Sequence, residues 1–239
     1  STAIDSNGNI YSVGRTSGNL GEASFGGDDA FIVKHDSSGN QIWQVQLGSV
    51  EDENDEANQV VVDSADNLYV QGWSGSSSKG WIAKYNSDGN QVWVKQIGGI
   101  EYDISDGSLT IGDDGSLYVT GQTKDNTDNT SQGDTDTWIA KYDNNGNQVW
   151  LQKIGTSYED KILEITLDDD NNILAAGYTK GSVDGTRDGD GNAWVAKLNN
   201  SGDLNWQTQL GTQNKDIARS IFVDNNSNIY LSGQTYGWL

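Results

Sequence analysis

Apolar residues in this chain come in runs of three to five, broken by polar turns, and no stretch keeps an i, i+3, i+4 spacing. That pattern predicts strands and no long helix. One phrase recurs five times: AIDSNGNIYSVGRT (3–16), VVDSADNLYVQGWS (61–74), TIGDDGSLYVTGQT (110–123), TLDDDNNILAAGYT (166–179) and FVDNNSNIYLSGQT (222–235). Each reads as an apolar strand A, a polar turn, and an apolar strand B that passes a glycine: Gly14, Gly72, Gly121, Gly177 and Gly233. A second phrase lies between them. Strand C reads FIVK, WIAK, WIAK or WVAK, and strand D carries Trp43, Trp93, Trp150 or Trp206 before a closing Gly48, Gly98, Gly155 or Gly211. Twelve residues before each of these tryptophans stands Phe31, Trp81, Trp138 or Trp194.

The C–D turns share the form Asp/Asn-x-x-Gly-Asn. The first side chain is suited to bond back to the turn backbone, and Gly39, Gly89, Gly146 and Gly202 supply the positive φ. In the A–B turns that place falls to Gly8, Asp66, Gly115, Asn171 and Ser227.

Four short strands repeated every 50–57 residues predict an all-β propeller of four-stranded antiparallel blades. Runs such as 60–62 and 81–83 are apolar on consecutive residues, which fits strands covered on both faces by neighbouring blades. Trp43, Trp93, Trp150 and Trp206 are therefore expected to dock blades together, over a neighbouring glycine. The blades fall near 1–48, 59–98, 108–155 and 164–211, with a half blade at 220–239, in one region spanning 1–239. Five A–B hairpins against four C–D hairpins leave one hairpin over. A closed ring of whole blades is then excluded, and the reading is a section of a larger propeller of about seven blades. An irregular five-bladed closure, with 236–239 opening a truncated strand C, is the alternative.

Composition narrows the functions. The net charge of −21 argues against nucleic acid and anionic lipid as partners. No apolar stretch is long enough to span a membrane. The absence of cysteine removes disulfides, cysteine-held zinc and thiol catalysis. The absence of Met and the start inside a strand suggest a piece of a longer chain, with any signal peptide outside it.

In an up-and-down meander the A–B and C–D turns share one side of the disc, and the variable B–C and D–A loops share the other. Function is expected on the variable side. The D–A loops place Asp55, Asp103, Asp160 and Asp216 towards the channel face, either holding their loops or converging on the channel. Asp28, Asp29, Asp134 and Asp136 lie in the B–C loops. The B–C loop 184–192 brings Asp184, Asp188, Asp190 and Asn192 together at a spacing that resembles the start of a calcium loop, without the closing Glu. Calcium is the one cofactor this points to. Trp73 and Trp238 fall outside the repeat positions and are candidates for stacking on a ligand, with Tyr102 and Tyr158 nearby in loops. His35, the single histidine, occupies the place of Tyr85, Tyr142 and Leu198. No catalytic residues are assigned.

These phrases resemble the bacterial β-propeller repeat family called SBBP. Asp29 to Lys34, Asp36, Gly39 and Trp43 match its first phrase, and Val62, Asp63, Asn67, Tyr69, Val70 and Gly72 its second. The resemblance implies a propeller module of a larger secreted or surface-exposed bacterial protein, without enzymatic activity. A slighter resemblance, to the tryptophan-docking repeat of quinoprotein dehydrogenases, rests on Ala83, Gly89 and Trp93 and on Ala140, Gly146 and Trp150. The expected function is a non-catalytic extracellular or cell-surface scaffold or adhesion platform, calcium-associated, with a protein or surface polysaccharide as partner. The alternative is a carbohydrate-binding, lectin-like propeller. A propeller enzyme, such as a polysaccharide lyase or a quinoprotein, comes last.

Overall fold

A computed structural model describes residues 1–21, 26–48, 53–75, 79–97, 107–123, 135–183, 185 and 190–237. Every regular element among them is a strand. Blade I holds β1 (Thr2–Ile4), β2 (Ile10–Thr16), β3 (Asp29–His35) and β4 (Gln41–Leu47). Blade II holds β5 (Asp55–Val62), β6 (Leu68–Ser74), β7 (Lys79–Tyr85) and β8 (Gln91–Gln96). Blade III holds β9 (Leu109–Ile111), β10 (Leu117–Thr123), β11 (Asp136–Tyr142) and β12 (Gln148–Ile154). Blade IV holds β13 (Asp160–Leu167), β14 (Ile173–Thr179), β15 (Asn192–Leu198) and β16 (Leu204–Leu210). A half blade follows, with β17 (Asp216–Val223) and β18 (Ile229–Thr235) among the described residues.

Strands pair antiparallel in chain order within each sheet, A to B to C to D. The A strands of successive blades touch, β1 to β5, β5 to β9 and β9 to β13, so they line the narrow side of the arc. The D strands form the exposed rim. The consecutive apolar runs are buried on both faces: every residue of β11 is buried.

The core is a series of seams between blades. Tyr11, Val13 and Ile32 of blade I pack with Ala57, Val60, Leu68 and Val70 of blade II. Trp194 of blade IV packs with Ile154 of blade III and with Ile162 and Ile165 of its own blade. The three seams between complete blades also have a tryptophan clasp. The Trp43, Trp93 and Trp150 Nε1–H groups donate to the carbonyls of Ser87, Asn144 and Asn200 in the next blade's C–D turn, at 3.1–3.2 Å. Their rings lie against Gly89, Gly146 and Gly202, where a Cβ would meet ring carbon at 3.0–3.1 Å. Gly39, the first turn of the series, has nothing within 4 Å of its Cβ position. Trp206, the last of the strand-D tryptophans, is 38% exposed.

The turns adopt the backbone that their residues favour. Gly39, Gly89, Gly146 and Gly202 have φ between 76° and 90°, and Asp66, Asn171 and Ser227 between 57° and 62°. In the first A–B turn, Asp5 accepts hydrogen bonds from the Asn7 and Asn9 backbone, the Asn9 side chain and the Tyr11 hydroxyl. Burial pushes this carboxyl upward, but those hydrogen bonds outweigh it and hold the pKa at about 2, below the ordinary 3.8. A carboxyl whose folded pKa is depressed stabilises the fold above its unfolded pKa, and the gain is lost as pH falls through the folded one. The denaturant midpoint should therefore fall between about pH 4 and pH 2. Asp5→Asn should lower the midpoint at neutral pH and flatten that fall; an unchanged pH profile would rule out an ionised Asp5.

Strand A begins earlier than its apolar run predicts. β5, β13 and β17 start at Asp55, Asp160 and Asp216, ahead of the blade starts read from sequence. Each carries a bulge, between Ala57 and Gln59, Ile162 and Glu164, and Ala218 and Ser220. The bulge turns a backbone carbonyl into the sheet opposite the strand-B glycine. A Cβ on Gly72, Gly177 or Gly233 would lie 1.8–2.2 Å from the Glu56, Lys161 or Ile217 carbonyl oxygen, which is why this position is glycine in all three.

Candidate functional site

The loop side of the arc is built around the first residues of strands A and C. Asp55, Asp160 and Asp216 are buried at the heads of their strands, which corrects their placement in the D–A loops. The backbone N–H of each donates to a carbonyl just ahead of strand C of the preceding blade: Asp28, Thr135 and Gly191. The Asp160 carboxylate accepts from the Thr156 N–H and hydroxyl, and Asp216 accepts likewise from Thr212. Asp29, Asp136 and Asn192, at the heads of the C strands, are buried as well.

Across the seam, Asp160 Oδ2 and Asp136 Oδ1 both flank Gly155, at 2.8 and 3.2 Å from its Cβ position. Asp216 Oδ2 and Asn192 Oδ1 flank Gly211 in the same way, at 2.7 and 2.8 Å. Burial pushes the Asp160 carboxyl above its ordinary value. Burial acts on Asp216 too, but hydrogen bonds from Thr235 and Thr212 outweigh it and hold that carboxyl below. These groups knit one blade to the next and sit inside the protein.

Other sequence candidates are not brought together among the described residues. Asp103, Asp134, Asp184, Asp188, Tyr102 and Trp238 lie outside the described residues. Asp190 is exposed in a turn. Among the described residues, no three His, Cys, Asp or Glu side chains gather as metal ligands. Trp73 is half-buried in β6, opposite Gly80. Tyr158 is exposed, and His35 is half-buried opposite Ile10.

Sequence reading passed over the strand-C lysines. Lys34, Lys84, Lys141 and Lys197 approach Asp5, Asp63, Asp114 and Asp168 of their own blade's A–B turn, at 2.7–4.0 Å. The first three also lie over the strand-B rings of Tyr11, Tyr69 and Tyr118. The signal was present in the invariant Lys that closes FIVK, WIAK and WVAK.

The half blade is the exception to this closure. In the blades before it, Leu68, Tyr69, Val70, Leu117, Tyr118 and Val119 on strand B are buried. On β18, Ile229, Tyr230 and Leu231 are exposed, as is every other residue of the strand. The Phe222 and Tyr230 rings lie tilted against one another, 6.2 Å between centroids, on its outer face, and are 62% and 54% exposed. A cavity of about 240 Å³ opens beside β18, lined by Leu210, Ala218, Leu231 and Gly233 among others.

Repeated four-stranded antiparallel blades, joined by seams, define a β-propeller repeat protein. The family model described as beta-propeller repeat, SBBP, matches at residues 3–22, 92–126 and 205–237. Among solved structures, puromycin hydrolase superposes with a TM-score of 0.58 at 9% identity, over 97% of this chain and 35% of that one. An α-L-arabinofuranosidase of Clostridium thermocellum superposes with a TM-score of 0.51 at 9% identity, over 98% of this chain and 93% of that one. Among curated proteins, an uncharacterized WD repeat-containing protein of Acanthamoeba polyphaga mimivirus is 25% identical over 122 residues, 44% of this chain and 9% of that protein. The chain thus spans about a third of the hydrolase and under a tenth of the viral protein.

The expectation that the chain is not an enzyme is corrected here. Chains with this architecture include a hydrolase and a glycosidase, so the propeller is no argument against catalysis.

Proposed function

We propose that this chain is an arc of a β-propeller that serves as a protein-interaction platform in a secreted or surface-exposed bacterial protein. The outer face of the half blade carries the reading. Phe222 and Tyr230 stand exposed at a place where the preceding blades bury the same face in a seam. Apolar surface of that kind, rimmed by polar turns, is typical of protein contact sites. The surrounding acidity keeps the chain soluble and opposes unselective association at low salt.

The reading is tested by sedimentation and hydrophobic-dye binding at low and high salt. The chain should bind the dye, and it should self-associate once salt screens its charge. Phe222→Ser with Tyr230→Ser should stay folded, because both side chains are exposed, and should lose both behaviours. A chain that is dye-silent and monomeric at high salt would overturn the reading.

A further inference from the structure

The seam between blades I and II is not closed as the next two are. Strand D sets one side chain beside each strand-C tryptophan: Val94 opposite Ala83, Leu151 opposite Ala140 and Gln207 opposite Ala196. Leu151 packs against the cluster that holds Trp138, and Gln207 accepts from the Trp194 Nε1–H at 3.3 Å. Both tryptophans are 1% exposed. Val94 is shorter than either cover and carries no acceptor. It is 51% exposed, and Trp81 beside it is only half-buried. On the blade I side, Leu47 is half-buried too, whereas its counterparts Ile97 and Ile154 are buried.

Two cavities, of about 180 and 330 Å³, meet at this opening, and Ser74, Trp81 and Val94 line both. The first runs along strand C to Tyr85 and Gln91. Four residues of strand make that a groove about 13 Å long. The second runs out to Glu53, Lys79 and Gln96. Gln91 accepts from the Tyr85 hydroxyl through its amide oxygen, at 3.2 Å, which leaves the NH2 end as its donor.

We propose that this groove binds a neutral glycan, with one pyranose ring against the indole of Trp81 and its hydroxyls bonded to Ser74, Gln91 and Gln96. The site lies on a different surface from the half blade and goes beyond the protein-contact reading. An apolar pocket with a few placed polar groups is the usual form of a small-molecule site. The C–H face of a pyranose packs on an aromatic ring, and its hydroxyls both donate and accept, as amides and a serine do. Glu53 and Lys79 offset one another, and the net charge of −21 opposes an anionic sugar. A peptide strand has no edge to pair with here, because β7 lies between β6 and β8.

The probes are cellotriose, laminaritriose and maltotriose, titrated into the whole chain by calorimetry and ligand-observed NMR. One-to-one binding of at least one of them is expected, with the strongest saturation transfer at ring C–H protons. Gln96→Ala should weaken it by about fivefold, the worth of one hydrogen bond. Val94→Leu is the deciding variant. It sets the Leu151 cover over Trp81 without removing any core side chain, so it should abolish binding while the melting temperature holds or rises.

No binding of any of the three at about 10 mM would overturn the proposal. Sugar binding that persists in a folded Val94→Leu variant would do the same, since the sugar would then sit elsewhere. Tighter binding of trigalacturonate than of the neutral sugars would overturn the choice of a neutral ligand. An apolar dye that binds, and is lost in Val94→Leu, when no sugar binds would assign the groove to a protein side chain instead. Phe222→Ser with Tyr230→Ser should leave sugar binding intact, so this proposal and the protein-contact reading fail separately.

Discussion

Trp194→Ala should cost about 3–5 kcal/mol of stability, the upper range for truncating a core side chain. The Trp194 side chain is 1% exposed and bridges two blades, touching the core that Ile154 of blade III shares with Ile162 and Ile165 of blade IV. Its Nε1–H also donates to Gln207 at 3.3 Å. Truncation would leave a large cavity in a seam whose walls are strands, which are poorly able to collapse into it. Stability in a repeat architecture is a sum of unit and neighbour terms, so weakening one seam acts on cooperativity as well. Chemical denaturation should show a lower midpoint and a broadened transition, with blade IV and the half blade separating first. A loss under about 1 kcal/mol would mean that the seam relaxes around the hole.

Gly72→Ala should be nearly as damaging, at about 3 kcal/mol, the upper part of the usual range for overpacking. The added methyl would lie 2.2 Å from the Glu56 carbonyl oxygen and 2.4 Å from the Trp81 ring. Neither neighbour is free to yield: the carbonyl is fixed by the β5 bulge, and the ring is wedged in the seam. Gly39→Ala is the control. Gly39 has positive φ but open space around it, so only backbone strain of about 1 kcal/mol is expected. Thermal melting of the two variants should separate steric from conformational cost. Equal losses would show that the bulge moves to admit the methyl group.

The blade plan was legible because its markers sit at fixed offsets. An aromatic, an Asp/Asn-x-x-Gly turn and a tryptophan recur together, and each serves a contact that every blade must make. The seam aspartates were less legible. Asp55 heads the stretch DEANQVVV, where the bulge between Ala57 and Gln59 breaks the two-residue alternation that reveals a strand. Pattern reading therefore starts strand A at the apolar run and leaves its buried, polar head in a loop. The strand-C lysines were marked by their recurrence, but a charge at a strand end gives no sign that it lies over a ring. Of the calcium candidates, Asp184 and Asp188 fall outside the described residues.

The tryptophan clasp always reaches forward, from strand D of one blade to the turn of the next, so the arc has a direction. Each joint matches a strand-D ring on one blade to a turn glycine on the next, so its two halves differ. Two identical ends cannot meet through such a joint. A union that reuses it must run head to tail, and repeated head-to-tail contacts either close into a ring or continue as a filament.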